Sequence, residues 1–275
     1  MKRFLAVAVL AAASSAPALA ADAPAANDPA LKAAIANPAR TPDNVKRDVY
    51  RHPYETLTFF GIKPTMTVVE LAPGGGWYTE ILAPYLRDNG KLIAAGATPE
   101  SKTPIVARSG ERFKARLDAN PALYGKVQLG AFEPSNGVFN YAAKGSVDMV
   151  LTFRNLHNWA AGGDEKLKAL LASVHTALKP GGVFGVVEHR LPASKTQDAT
   201  ASSGYMHEAY VIKLVEGAGF KLAEKSEVNA NPKDTADHKG GVWALPPTYA
   251  NKDEDRAKYA AIGESDRMTL KFVKQ

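Results

Sequence analysis

The residues best suited to chemistry lie in "FRNLHNW" (residues 153–159), which completes and follows the apolar run "VDMVLTF" (147–153). His157 could act as a general base that removes a proton from an attacking oxygen or nitrogen. Arg154 could hold an anionic substrate through charge-assisted hydrogen bonds. Asn155 is a further catalytic candidate, although asparagine at such a place is equally typical of a turn or a helix cap.

A second polar loop follows another apolar run, "VFGVVEH" (183–189), which ends at His189. His189 is a further candidate for the catalytic site, although loop histidines are often only surface residues. The six histidines of the chain show no H-x-x-x-H or H-E-x-x-H spacing, and cysteine is absent. We therefore predict no metal site.

A glycine turn in "ELAPGGGWY" (residues 70–78) joins an apolar strand pattern to an amphipathic stretch. Glycine lets a ligand approach the backbone closely, and the amides that open the following helix favour a negative group. A dinucleotide fingerprint would require glycine where Thr79 stands, and a P-loop would require a Gly-Lys-Ser/Thr ending. A nicotinamide-dependent oxidoreductase is therefore disfavoured, while cofactor binding at the turn is favoured over a plain connector.

Alternating strands and helices must position these loops. The hydrophobic patterns predict strands at residues 66–71, 91–96, 126–130, 147–153, 183–189 and 268–274. They predict helices at residues 109–119, 163–182 and 206–220, and short N-terminal helices after Asp28-Pro29 and Thr41-Pro42. Such alternation indicates an α/β protein with a parallel sheet covered on both faces, and ligands beyond the carboxyl ends of the strands.

Four segments, taken in order, resemble successive motifs of the class I S-adenosylmethionine-dependent methyltransferases. They are "TVVELAPGGGWYTEILAPYL", "NGKLIAAGATPE", "SVDMVLTFRNLHNW" and "ALKPGGVFGVVEHR". The chain after residue 20 also resembles a group of exported bacterial proteins known as predicted methyltransferases. The resemblance implies a Rossmann-like, doubly wound, seven-stranded sheet whose last strand, residues 267–274, is antiparallel. It also implies S-adenosylmethionine as cofactor and methyl transfer to an unknown small or medium-sized acceptor.

The resemblance assigns cofactor-binding roles around the glycine turn. Glu70 matches the acid at the end of the first strand. The turn that wraps the methionine part of the cofactor corresponds to Ala72, Pro73, Gly74, Gly75 and Gly76. Candidates for a lid over the site are Arg51, His52, Tyr54 and Glu55 before the first strand, and Tyr205, His207 and Glu208 after the fifth.

Two positions depart from the pattern of that family. Gly96 stands where an acid usually takes both ribose hydroxyls, and Ala131 stands where a Gly-Asp pair commonly contacts the adenine. Each lost hydrogen bond to a charged acceptor would cost about 1.5–3 kcal/mol of binding free energy. A non-catalytic secreted ligand-binding protein with a methyltransferase-like fold is therefore the alternative hypothesis.

The N-terminal residues and the composition limit the possible classes of protein. Residues 1–20 read as a secretory signal peptide, with Lys2 and Arg3 before a short apolar run and an Ala-x-Ala ending. We expect a leader and helical segment at 21–64, a methyltransferase domain at 65–275, export to the periplasm, and no membrane span after cleavage. The formal net charge is +6, and the lysines and arginines are scattered among acids. This distribution favours a small-molecule substrate over a nucleic-acid partner.

Overall fold

The fold is built on a single eight-stranded sheet. The computed structural model describes residues 27–275, so the expected signal peptide at residues 1–20 lies outside the described residues. In chain order the strands are β1 (Thr67–Leu71), β2 (Lys91–Gly96), β3 (Gln128–Glu133), β4 (Val138–Asn140), β5 (Val147–Phe153), β6 (Leu178–His189), β7 (Phe220–Ser226) and β8 (Arg267–Lys274).

The sheet has the order β4-β3-β2-β1-β5-β6-β8-β7. Strand β1 pairs in parallel with both β2 and β5, so the strand order reverses at β1. Strand β8 pairs antiparallel with β6 and β7, which confirms the predicted α/β fold and its antiparallel last strand. The hydrophobic patterns locate six of the strands; β7, which they do not locate, completes the seven that the resemblance implies, and β4 is an additional three-residue edge strand antiparallel to β3. So short a strand produces no hydrophobic alternation in the sequence.

Eleven α-helices occur in the part of the chain from residue 27 onward. They are α1 (Pro29–Ile35), α2 (Pro42–Val45), α3 (Asp48–Arg51), α4 (Pro53–Phe60), α5 (Thr79–Leu86), α6 (Pro104–Asp118), α7 (Pro121–Tyr124), α8 (Leu156–Ala160), α9 (Asp164–Ala177), α10 (Glu208–Glu216) and α11 (Arg256–Ile262). The predicted N-terminal helices are present, and the Asp28 carboxylate caps α1 by accepting from the Leu31 amide. The helix predicted at 163–182 ends earlier, at Ala177, because Leu178 already begins β6. Across residues 27–275, every helix is too short or too polar to cross a bilayer.

Both faces of the sheet are covered by helices. Val68 of β1 packs with α1, α4 and α5, whereas its neighbour Val69 packs on the opposite face with α9 and α10. Met149 and Val150 of β5 alternate between the same two cores. Because the central strands are buried on both faces, a ligand can reach them only at the polar loops that follow their carboxyl ends.

Helix α6 approaches the loop after β2 unusually closely. A Cβ at Gly110 would lie 2.2 Å from the carbonyl carbon of Thr98, so only glycine fits between the helix and that loop. This contact brings the polar face of α6 over the carboxyl end of β2.

We expect Gly110→Ala to lower the free energy of unfolding by about 1–3 kcal/mol, because the added methyl group must push α6 away from Thr98. Urea denaturation followed by circular dichroism measures the change. Arg108→Ala, on the exposed face of the same helix, is the control and should stay within about 0.5 kcal/mol of wild type. Equal stability of the two variants would show that α6 can shift at no cost.

Candidate functional site

Two adjoining cavities lie at the carboxyl ends of the strands. Cavity A, of about 520 Å³, is lined by Gly96, Arg112, Phe113, Arg116, Phe132 and Trp159 together with the glycine turn. Cavity B, of about 340 Å³, is lined by Arg47, Arg51, Arg154, His157, His189 and Trp243 together with the same turn. The residues shared by both cavities are Ala72, Pro73, Gly74, Gly75 and Asn155. The turn after β1 is therefore the common wall of the two cavities.

The backbone of this turn explains its glycines. Gly74 and Gly76 have φ values of 57° and 78°, a region in which residues with a Cβ are strained. Gly75 does not have a positive φ, and a Cβ built on it would meet nothing within 4 Å. Glycine at position 75 therefore keeps space open, whereas the glycines on either side of it permit the turn itself.

Glu70 lies beneath the turn and lines neither cavity. Its carboxylate is buried and accepts a hydrogen bond of 2.6 Å from the Thr79 hydroxyl at the start of α5. Burial raises the pKa of Glu70 to about 7, against the opposing effects of the Thr79 hydrogen bond and the Arg154 charge. Glu70 thus ties β1 to α5 across the turn and does not face the space a ligand would occupy.

Asn155 holds the turn from the other side. It is the N-cap residue of α8, and its side-chain amide donates to the carbonyl oxygens of Leu71 and Ala72 at 3.3 and 3.4 Å. The loop after β5 is therefore fixed against the loop after β1. Both sequence alternatives for Asn155 are compatible with this position, since it is a cap residue that also lines both cavities.

Cavity A has aromatic and cationic walls. Phe132 and Trp159 meet edge to face, with ring centroids 5.3 Å apart. Arg112 is exposed at the cavity, and Arg116 forms an ion pair with Glu80 at 2.7 Å. No carboxylate lines this cavity in the described part of the chain. Cavity A consequently offers hydrogen-bond donors and aromatic faces to a ligand.

The departure at Gly96 has a structural explanation. A Cβ at Gly96 would lie 3.3 Å from Cδ of Pro73, so Pro73 packs against the place where an acidic side chain would begin. Ala131 pairs with Gly96 in the sheet and lines neither cavity, whereas Gly96 lines cavity A. The absence of an acid at position 96 is therefore linked to the packing of Pro73 against this position.

The four predicted catalytic residues all line cavity B. The buried ring of His157 contacts Glu188 through Nδ1 and Oε1 at 2.9 Å. A carboxylate can only accept, so Nδ1 carries the proton and Nε2 is left as the basic nitrogen of the ring. His157 and Glu188 form an oriented dyad of the kind that serves general base catalysis.

His189 is the neighbour of this dyad, with ring centroids 5.3 Å apart. Burial lowers the pKa of His189 well below its ordinary value; protonation of the His157 ring would lower it further, as does the charge of Arg154. Its Nδ1 is engaged with the Ser265 hydroxyl. His189 is therefore a neutral imidazole at physiological pH.

The two histidines and Glu188 also form a group that could hold a metal ion, with one ligand atom of each within 4.8 Å of the others. The Glu188 carboxylate already accepts from the His157 ring and from the amides of His157 and His189. Positive charges of nearby arginines act on His189 and would repel a divalent cation. The arrangement therefore favours His157 as a general base over a bound metal ion. The absence of a metal site remains a prediction.

The sequence did not reveal a charged cluster at cavity B, in which Arg47, Arg51 and Glu264 line the cavity and Arg267 binds Glu264 without lining it. Three arginines bind the carboxylate of Glu264: Arg47 Nε at 2.6 Å, and Arg51 Nε and Arg267 Nη1 at 3.1 Å. These charges hold the pKa of Glu264 at about 2 despite its burial. Of the lid candidates, Arg51 lines cavity B, whereas His52, Tyr54, Glu55, Tyr205, His207 and Glu208 line neither cavity.

Known proteins share the fold at low sequence identity. No protein-family model and no curated protein matches the chain. A SAM-dependent methyltransferase from Aquifex aeolicus is similar, with a TM-score of 0.54 over 84% of this chain and 93% of that chain, and 16% identity. The cyclase SpnF is similar with a TM-score of 0.54 over 82% and 80%, also at 16% identity. The chain therefore has the fold of S-adenosylmethionine-dependent methyltransferases, a fold that a cyclase also uses.

The buried Glu70 makes stability depend on pH. Its pKa is about 7 in the folded chain against an ordinary 4.5, so the folded state binds the extra proton between these values. The free energy of unfolding must therefore fall as the pH rises through this interval. Glu70→Gln cannot bind this extra proton. The free energy of unfolding of the variant minus that of wild type should therefore increase by about 2–3 kcal/mol from about pH 5 to about pH 8.

Denaturation with urea at both pH values measures this difference. Other groups, including His189, titrate alike in both proteins, so the comparison isolates Glu70. Glu111→Gln, on the exposed face of α6, is the matched control and should stay within about 0.5 kcal/mol of wild type at both pH values. A pH-independent difference between Glu70→Gln and wild type would contradict the raised pKa.

Proposed function

We propose that this protein is an S-adenosylmethionine-dependent methyltransferase that acts on a small or medium-sized acceptor. The observation that carries the proposal is the shared glycine turn, which separates an aromatic cavity from a cavity that contains an oriented histidine base. Methyl transfer needs a donor and an acceptor held side by side, and two cavities with one common wall provide that arrangement.

Cavity A is the proposed cofactor site. The open space above Gly74 and Gly75 would receive the methionine part, and the rings of Phe113, Phe132 and Trp159 would contact the adenine. When bound, S-adenosylmethionine supplies an electrophilic methyl group. The ribose would lie near Gly96 without a carboxylate partner, so we expect weaker binding than a site with that acid would give.

Cavity B is the proposed acceptor site. The Nε2 atom of His157 would take the proton of an attacking hydroxyl or amine, while Glu188 keeps the ring in the required tautomer. Neutral His189 and the Asn155 amide would orient the acceptor, and Arg154 would hold a negative group. Positioning of the acceptor and removal of its proton are the contributions these side chains can make.

The alternative is a non-catalytic ligand-binding protein. The observation in its favour is Pro73, which packs beside Gly96 and leaves cavity A without an acid. We also propose export to the periplasm, supported by the signal-like sequence of residues 1–20. N-terminal sequencing of the protein from a periplasmic extract tests export, and an N-terminus still beginning at Met1 would contradict it.

Calorimetric titration with S-adenosylmethionine and S-adenosylhomocysteine tests the proposed function, and we expect both to bind wild type. Gly75→Ala and Gly75→Val should weaken binding progressively, because their side chains grow into the space that both cavities share. Melting temperatures should stay within about 2 °C of wild type, since a Cβ at position 75 meets no atom and needs no positive φ.

Two outcomes would contradict the proposal. If neither compound produces heat at millimolar concentration, the chain does not use this cofactor, and the ligand-binding alternative is favoured. If Gly75→Val binds as wild type does, the cofactor lies elsewhere.

The role of His157 can be tested by turnover, measured as S-adenosylhomocysteine formed with any acceptor found by screening. His157→Ala should lower turnover about a hundredfold to ten-thousandfold, because the basic Nε2 is lost, and should leave S-adenosylhomocysteine binding unchanged. His175→Ala, at a histidine of α9 that lines neither cavity, is the control and should keep most of the activity. Near-normal turnover by His157→Ala would remove it from catalysis.

A further inference from the structure

The cluster of Glu264 and its arginines at cavity B carries more positive than negative charge. Arg47, Arg51 and Arg267 share the single carboxylate of Glu264, which is buried. Three guanidinium groups therefore meet one acid. A fourth, that of Arg154, acts electrostatically on the same acid and on the other arginines.

Arg154 differs from the other three because its side chain has no hydrogen-bond partner in residues 27–275. Its Nη1 atom is buried and unsatisfied. Its backbone has a φ of 62°, unusual for a residue with a Cβ, and its amide donates to the Val187 carbonyl. Burial lowers the pKa of Arg154, and the charge of Arg267 lowers it further. Arg154 is partly exposed as a residue, but a buried Nη1 without a hydrogen-bond partner is costly, and a bound anion would supply that partner.

Other acids near the cluster do not balance it. Glu188 is occupied by the His157 ring and by two backbone amides. Glu70, whose charge acts on Arg154, has a pKa of about 7 and is therefore ionised only in part at neutral pH. Four guanidinium groups consequently face the full charge of Glu264, the engaged carboxylate of Glu188 and the partial charge of Glu70. A bound anion would supply the remaining negative charge.

Cavity B also has flat apolar surfaces among its polar lining residues. Trp77 forms one wall, and Arg51 lies over its ring with the guanidinium carbon 4.7 Å from the centroid. Trp243 forms another wall, is partly exposed, and meets the His157 ring at 6.0 Å between centroids. Pro246 and Pro247 complete this side of the cavity. Such walls suit a flat hydrocarbon body more than a fully polar one.

We propose that cavity B binds an acceptor with a flat apolar body and an oxyanion, either a carboxylate or a phosphate. The oxyanion lies among Arg47, Arg51 and Arg154, and the body lies against Trp243, Pro246 and Pro247. In the setting of the proposed methyltransferase, this orientation directs the reactive hydroxyl or amine of the acceptor toward His157. The methyl-transfer part of the inference rests on the proposed function, whereas anion binding does not.

Benzoate, its neutral counterpart benzamide, phenyl phosphate and inorganic phosphate are suitable probes. Calorimetry on the full chain, with and without S-adenosylhomocysteine, should show at least one anion bound about tenfold or more tighter than benzamide. Tighter binding of benzoate would indicate a carboxylate acceptor, and tighter binding of phenyl phosphate a phosphate ester. Binding of inorganic phosphate alone would contradict the flat apolar body.

Arg154→Gln is the informative variant, because it removes a positive charge without leaving Glu264 unpaired. It should abolish most of the preference for the anion over benzamide. Arg47→Gln, at a partly exposed position that lines the same cavity, is the second variant if Arg154→Gln does not fold. It should also weaken the preference for the anion over benzamide. Arg108→Gln, an exposed arginine of α6 that lines neither cavity, is the charge-matched control and should bind as wild type does.

The outcomes separate this inference from the proposed function. If S-adenosylhomocysteine binds but no anion binds better than benzamide, the anion site is wrong and the methyltransferase proposal stands. If an anion binds in an Arg154-dependent way but S-adenosylhomocysteine does not, the anion site stands and the methyltransferase proposal is wrong. Anion binding that is unchanged in both Arg154→Gln and Arg47→Gln would also overturn the inference.

Discussion

The fixed conformation of the turn after β1 is the constraint on which the rest of the site depends. The turn lies where the strand order reverses, and it forms a wall of both cavities. The buried hydrogen bond from Thr79 to Glu70 holds it from below, and the Asn155 amide holds it from the side. Positive φ values at Gly74 and Gly76 give it a shape that other residues would resist. The turn therefore acts as a rigid partition between two binding spaces.

The two cavities have different chemistry on either side of this partition. Cavity A presents aromatic rings and arginines without a lining acid in residues 27–275, and cavity B presents a histidine–carboxylate pair and an excess of guanidinium groups. In water such charges would be screened, but burial makes their interactions stronger and an unpaired charge more costly. Despite the burial of Glu264, the excess of positive charge lowers its pKa, and burial together with neighbouring arginines lowers the pKa values of His189 and Arg154. A ligand that supplies negative charge would relieve this excess.

Much of this arrangement could be predicted from local sequence patterns. The alternating apolar segments predicted the sheet, and the resemblance to class I methyltransferases implied that its last strand, β8, is antiparallel. The polar residues after β5 and β6 predicted a site that contains Arg154, His157 and His189. The contact of Arg47 with Glu264 joins residues 217 positions apart, so no local pattern could show it. Nor could the sequence show that Pro73 packs against Gly96, because their contact depends on the turn geometry.

The most direct test of the account is a crystal structure of the protein with S-adenosylhomocysteine. The account predicts adenine in cavity A against Phe132 and Trp159, the amino-acid part above Gly74 and Gly75, and the sulfur atom at the boundary with cavity B. Glu70 should stay beneath the turn, bonded to Thr79. Adenine in cavity B, or a bound ligand that leaves the glycine turn uncovered, would contradict it.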